Sequence, residues 1–185
     1  MEYLGHEWAG IDIGANVFNF GPEDADGILI ASPTANHAHH IRAYLKYGKP
    51  ILCEKPITKD LGDLERLLKE ASDSQATLQM VNQYAMLATQ SKRGDSGYNY
   101  FRHGSDSLEW DCINIIGLAN GPVHLEETSP VWTCTINDEQ LSIADMDRAY
   151  IRMIQGWLAN PTDQSQYIWQ AHEKTQKMRG RSCKS

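Results

Sequence analysis

Two short runs carry most of the groups in this chain that could do chemistry: Ser32-Pro33-Thr34-Ala35-Asn36-His37 and Glu54-Lys55-Pro56. They supply hydroxyls, an imidazole, a carboxylate and an ammonium group. Such a set can hold a small ligand by hydrogen bonds and move a proton. Each run follows an apolar stretch that reads as a buried parallel strand, Gly27–Ala31 before the first and Ile51–Cys53 before the second. Two strand ends joined by a helical crossover place their exit loops side by side. In open α/β sheets that carboxyl edge is where ligands bind.

The elements between and around these runs have clear signals. Asn36 is expected to cap a helix from His37 to Tyr47, in which Ile41, Tyr44 and Leu45 recur at helical spacing. Gly48 stands where a helix-ending glycine would, and Pro50 stops continuation. Strand, helix, strand in this order is a crossover unit, and such units are right-handed. Thr58 or Asp60 then caps a second helix to Ser72, with Leu61, Leu64, Leu67, Leu68 and Ala71 in one stripe. Asp63, Glu65, Arg66, Lys69 and Glu70 form its charged face. Thr77–Val81 reads as a further strand, leaving Asn82-Gln83-Tyr84 over the same crevice.

Upstream, Glu7–Asp12 reads as a short strand ending in an acid, and Val17–Phe20 as another extended piece. The pattern changes near Thr89. Gln90–Gly97 is a polar linker, followed by a strand at Tyr98–Arg102 and an apolar helix at Ser107–Leu118. Val131–Ile136 and Glu139–Ile143 bracket the turn Asn137-Asp138 as a hairpin. Helices are expected over Ala144–Leu158 and Gln164–Met178, then a frayed basic tail.

Composition narrows the classes. The chain has 185 residues and a net charge of −7, which argues against a nucleic-acid partner. No stretch reaches the length of a membrane-spanning helix, and the first residues lack the basic and apolar regions of a signal peptide. The four cysteines, Cys53, Cys112, Cys134 and Cys183, are scattered without a Cys-x-x-Cys pair. That suits reduced thiols and a cytoplasmic location, with no disulfide framework and no metal site. His37, His39 and His40 lie close together, but no suitably spaced acid accompanies them.

Taken together, the two runs resemble the Gfo/Idh/MocA family of NAD(P)-dependent oxidoreductases. That family has one strand ending in Thr-Pro-x-x-x-His and another ending in Glu-Lys-Pro. The flanking phrases Asp26–Ala31 and Gly48–Cys53 are similar too, so the likeness covers residues 24–84. It implies an α/β fold, with a partial Rossmann-like parallel sheet over residues 1–88 and a small α+β substrate or dimerisation domain over 89–185. It also implies an oxidoreductase using NAD or NADP on a sugar, cyclitol or similar hydroxylated small molecule.

By the same resemblance, Lys55 is the acid/base beside the reacting oxygen. A lysine partly withdrawn from water can give and take a proton where a carbon loses or gains hydride. Ser32, Pro33, Thr34, His37, Glu54 and Pro56 are implied as cofactor-binding residues, with Glu54 accepting from a ribose or an amide. His37, on the first turn of its helix, is also expected to tie two loops together. Asp12 either hydrogen-bonds a ribose hydroxyl or makes a turn before Gly14. Asp111 and Asn114 stand where the family has a polar pair facing substrate, often Asp followed by His. An asparagine there cannot exchange a proton near neutral pH, so substrate binding or a lysine-only mechanism remains.

One departure is sharp. A Rossmann fold opens with a strand and a Gly-x-Gly-x-x-Gly turn that holds the pyrophosphate. Gly10-Ile11-Asp12-Ile13-Gly14 has the wrong spacing for it. The sequence is expected to start near the family's second strand, leaving a neighbouring strand with an unpaired edge. Three readings stay open: a reduced member that binds nucleotide differently, with weak cofactor binding or none; a noncatalytic binding or interaction protein of the same fold; and a gene fragment. A small-molecule substrate, no membrane partner and self-association complete the expectations.

Overall fold

The computed structural model describes residues 11–12, 15–16, 22–82, 123–128, 131–136, 139–140 and 143–182. Its centre is a parallel sheet of three strands, β3 (Ile28–Ile30), β4 (Ile51–Cys53) and β5 (Leu78–Met80), in that spatial order. Ile28 is in register with Ile51 and Ile51 with Leu78. Upstream, β1 (Ile11–Asp12) and β2 (Ala15–Asn16) pair antiparallel as a sheet of their own. Among the described residues, β3 pairs with β4 and β4 with β5.

Two helices join the strands. α1 spans Thr34–Leu45 and α2 spans Leu61–Asp73. The start of α1 corrects one expectation. Pro33, not Asn36, precedes the helix, with φ −57° and ψ 142° and no side-chain cap. Its ring presets φ near the helical value, and the Asn36 amide donates to the Pro33 carbonyl at 2.8 Å, so the turn closes earlier. At the other end Gly48 has φ +62°, the left-handed conformation expected of it. Asp60 caps α2 by accepting from the Asp63 amide at 2.6 Å. Arg42 on α1 bridges Asp63 and Glu70 on α2, at 2.8 and 2.7 Å.

Because side chains alternate along a strand, each face of the sheet collects its own set. Ile28, Ile30, Ile51, Cys53, Leu78 and Met80 face one way and share a buried core with Ile41 of α1 and Leu64 and Leu67 of α2. Leu52 and Val81 face the other way. The remaining helices close both layers. α3 (Ile143–Ala159) lays Met153, Ile154 and Trp157 on Leu52 and Val81. α4 (Ser165–Ser182) puts Ile168 into the larger core, beside α2 and β5. The result is helix–sheet–helix layering, an α/β architecture.

The segment before α4 also covers the outer edge of β5. The Gln164 amide donates to the Leu78 carbonyl at 2.9 Å, and the Leu78 amide to Asp163 Oδ1 at 3.4 Å. A strand edge covered in this way is withdrawn from unwanted pairing.

A second sheet contains β6 (Val123–Thr128), β7 (Val131–Ile136) and β8 (Glu139–Gln140), all antiparallel. The predicted hairpin is the β7–β8 pair, shorter than expected. β6 carries no strand prediction, yet all six of its residues pair with β7. α4 continues to Ser182, past the predicted stop at Met178. The backbone of residues 179–182 is thus helical instead of frayed. The predicted linker, the strand at 98–102, the helix at 107–118 and the boundary at 88/89 lie outside the described residues.

Candidate functional site

The β3 and β4 exits are joined at the carboxyl edge by backbone and imidazole together. The Glu54 amide donates to the Ile30 carbonyl at 2.8 Å, extending the ladder one step beyond the strands. His37, 1% exposed, spans the gap between the loops. Its Nδ1 lies 2.8 Å from the Pro56 carbonyl and its Nε2 2.5 Å from the Ser32 carbonyl. A neutral imidazole has one N–H and can meet only one of these acceptors at a time. The ring therefore ties the two motif loops together, as its place on the first turn predicts, with one nitrogen facing each loop's carbonyl and one of the two donating at a time.

Ser32 takes a second contact, with its Oγ 2.9 Å from His40 Nδ1. Pro33 is exposed at the mouth of the loop, and Thr34, half-buried, begins α1. Pro56 is buried and follows a cis peptide from Lys55. Lys55 is half-buried, between the buried strand and the loop. Cys53, the last residue of β4, is fully buried, and burial pushes its thiol well up, with the Glu54 charge adding to the effect. It packs in the core as a small apolar residue.

Glu54 is the best-supported polar group of the edge. Its Oε1 accepts from the Tyr150 hydroxyl at 3.0 Å and its Oε2 from the Lys55 amide at 3.3 Å. Burial holds the Tyr150 phenol above its ordinary value, and the Glu54 charge and bond raise it further. The phenol thus stays a donor across the physiological range. Tyr150 is absent from the sequence predictions, because on a helix stripe with Ala149, Met153 and Trp157 it reads as core.

Asn82 follows β5 at the same edge. Its amide N–H donates to Met153 Sδ at 3.2 Å, and its Nδ2 is hydrogen-bonded to the Tyr167 hydroxyl. Burial raises the Tyr167 phenol, and the Asn82 bond partly offsets that. The buried Asn82 Oδ1 has no hydrogen-bond partner among the described residues.

The predicted residues do not all meet. Ser32, Thr34, His37, Glu54, Lys55 and Pro56 share one edge of the parallel sheet. Asp12 ends β1 opposite Ala15, in the separate antiparallel pair. Asp111 and Asn114 lie outside the described residues. Among the described residues, no group of three or more His, Cys, Asp or Glu could hold a metal ion, and no helix is long and apolar enough to cross a membrane.

Residues 15–82 match the model of the GFO_IDH_MocA oxidoreductase family, with an NAD-binding Rossmann fold. An inositol 2-dehydrogenase of Rhizobium meliloti (strain 1021) is 42% identical over 55 residues, which are 30% of this chain and 17% of that protein. One from Rhodococcus jostii (strain RHA1) is 36% identical over 58 residues, 31% of this chain and 16% of that protein. The chain thus spans less than a fifth of the length of these relatives. A probable dehydrogenase from Thermotoga maritima superposes with a TM-score of 0.33 at 28% identity, over 36% of this chain and 20% of that one. A 3-ketoreductase from Actinomadura kijaniata, solved with TDP-benzene and NADP, has a TM-score of 0.46 at 14% identity, over 82% and 75% of the two chains.

Proposed function

We propose, from the match of residues 15–82 to the model of the Gfo/Idh/MocA oxidoreductase family, a nicotinamide-dependent oxidoreductase acting on a sugar, a cyclitol or a similar hydroxylated small molecule. The observation that carries the reading is the His37 tie. It fixes the loop bearing Ser32 and the loop bearing Glu54 and Lys55 against each other at the carboxyl ends of adjacent parallel strands. The cyclitol option rests on relatives named inositol 2-dehydrogenase.

The residues of this edge fit the nicotinamide–ribose half of NAD or NADP. Glu54 offers acceptor lone pairs for ribose hydroxyls. The buried Asn82 Oδ1, without a hydrogen-bond partner among the described residues, is an acceptor that a carboxamide N–H can satisfy. When bound, the cofactor supplies hydride acceptance and return. Lys55 takes the proton from the substrate hydroxyl as its carbon is oxidised, and returns it in the reverse direction. Ser32, Pro33 and Thr34 line the cofactor's path, and Asp111 with Asn114 orients the substrate.

The test is a titration of the purified chain with NADH and NADPH, followed by turnover with inositol and simple sugars. Saturable micromolar binding is expected. Lys55→Ala should bind cofactor but lose about 10²- to 10⁴-fold in turnover, the usual worth of a general acid or base. Unchanged turnover in that variant overturns the lysine assignment. No binding at millimolar cofactor favours the alternative, a noncatalytic binding protein on the same fold.

A further inference from the structure

The Glu54 carboxylate is held by a residue from the far end of the chain, ninety-six positions away. Its backbone is already fixed by the ladder bond to Ile30, so the side-chain torsions are what remain to be set. Tyr150 sets them at Oε1. The Lys55 amide meets Oε2 with a longer bond. Two lone-pair positions of the carboxylate are thereby used inside the protein, and the others are directed elsewhere.

Tyr150 can do this because α3 does not slide. One turn on, Met153 and Ile154 pack on Leu52 and Val81, and Met153 Sδ accepts from the Asn82 amide. Trp157, 4% exposed, fills the space left by the missing side chain of Gly27. The helix therefore runs antiparallel to the strands, with Tyr150 at the carboxyl edge and Trp157 at the amino edge. A phenol has only two side-chain torsions, and on a packed helix its hydroxyl has a narrow reach.

We propose that Tyr150 is a positioning residue, whose hydroxyl orients the Glu54 carboxylate so that its remaining lone pairs face the ribose hydroxyls of a nicotinamide cofactor. This rests on the cofactor reading above. It gives α3 a role beyond covering the sheet. The helix carries the group that decides where Glu54 points.

The experiment is a double-mutant cycle read by NADH titration and urea unfolding on the full chain: wild type, Tyr150→Phe, Glu54→Ala and the double variant. Tyr150→Phe should weaken NADH about tenfold, in line with loss of a hydrogen bond to a charged group. In the Glu54→Ala background the same change should alter NADH affinity less than about twofold, because there is no carboxylate left to orient. A merely structural tyrosine would weaken binding equally in both backgrounds, which overturns the proposal. Ile151→Ala, on the exposed side of α3, should leave NADH affinity unchanged. Should Tyr150→Phe not fold, Tyr150→Met carries the same cycle. If the wild type binds no NADH, the cofactor reading falls and this proposal with it. If it binds and the cycle is additive, only this proposal falls.

Discussion

On one face of the β3–β4–β5 sheet, six alternating side chains are covered by α1, α2 and α4, and the cluster is continuous and almost wholly apolar. On the other face, Leu52 and Val81 meet α3, with Leu29 partly buried beside them. The first face is mostly local, since its strands and two of its helices lie within residues 28–73 and 78–80. The second depends on a helix that returns from the far end of the chain. The second also carries buried polar atoms with no hydrogen-bond partner among the described residues, Trp157 Nε1 and Gln79 Oε1. Each such atom costs about 1–3 kcal/mol of lost solvation. The larger face builds the sheet. The smaller one is weaker and reaches the polar groups of the carboxyl edge through Tyr150 and Met153.

The largest effects should separate the two faces. Leu67, fully buried on α2, should cost about 3 kcal/mol when cut to Ala, and urea unfolding should remain a single transition. Met153→Ala should cost about 2 kcal/mol. Hydrogen exchange should then quicken along α3 while amides of α1 and β4 stay protected. Equal quickening on both faces would mean that they are one cooperative unit and that the comparison is wrong.

Acid should sharpen the contrast from the side of the larger face. His172 on α4 is 3% exposed, and burial lowers its imidazole from 6.5 to about 4, though its bond to the Ile168 carbonyl pulls the other way. In the unfolded chain the ring takes up a proton near pH 6.5, and in the folded chain only near pH 4. Between those values the unfolded state binds more protons, so stability falls as the pH falls through that window. The full loss is about 3 kcal/mol, reached below about pH 4. His172→Gln should flatten that slope in urea titrations run from pH 7 to pH 4. A slope unchanged by the substitution would place the acid sensitivity elsewhere.

The larger face is also the part that could be read from sequence. The short apolar runs of β3, β4 and β5 are punctuated by glycine, proline and polar turns. The stripe of α2 and its Asp60 cap stand out in the same way, and so does the positive φ of Gly48. Such signals are local, and the structure follows them. The misreadings have local causes too. Asn36 is a good capping residue, but Pro33 had already preset the backbone. What could not be read is what joins distant segments. β6 becomes a strand by pairing with β7, and Tyr150 looks like core until α3 lies against the sheet. The motif loops were legible because the types and spacing of Ser32, His37, Glu54 and Lys55 are unusual. The donor that orients Glu54 was not, since no spacing rule connects positions so far apart.

The junction of α3 with the amino edge can be broken by one methyl group. A Cβ on Gly27 would lie 2.8 Å from Trp157 Cη2 and 2.9 Å from Cζ2, closer than carbon atoms pack. Trp157 is buried, so Gly27→Ala should cost about 1–3 kcal/mol by overpacking. If the smaller face is an independent layer, the cost should be recovered in part by Trp157→Leu in the same chain. No recovery would mean that the strand itself rejects the side chain.

The smallest effect runs in the opposite direction and tests α3 alone. Gly156 sits within this helix on its exposed side, and a Cβ there would meet nothing within 4 Å. A glycine inside a helix costs about 1 kcal/mol relative to alanine, chiefly through the backbone freedom lost on folding. Gly156→Ala should therefore stabilise α3 by about that amount without adding a contact. Because the gain acts on the weaker layer, it should appear as slower hydrogen exchange from Ala149 to Leu158, with little change in α1 or α2. It should also offset part of the Met153→Ala loss, since both act on the docking of one helix. A gain spread evenly over both faces would show that α3 folds and unfolds with the whole sheet. The tie between Tyr150 and Glu54 would then be as stable as the core itself.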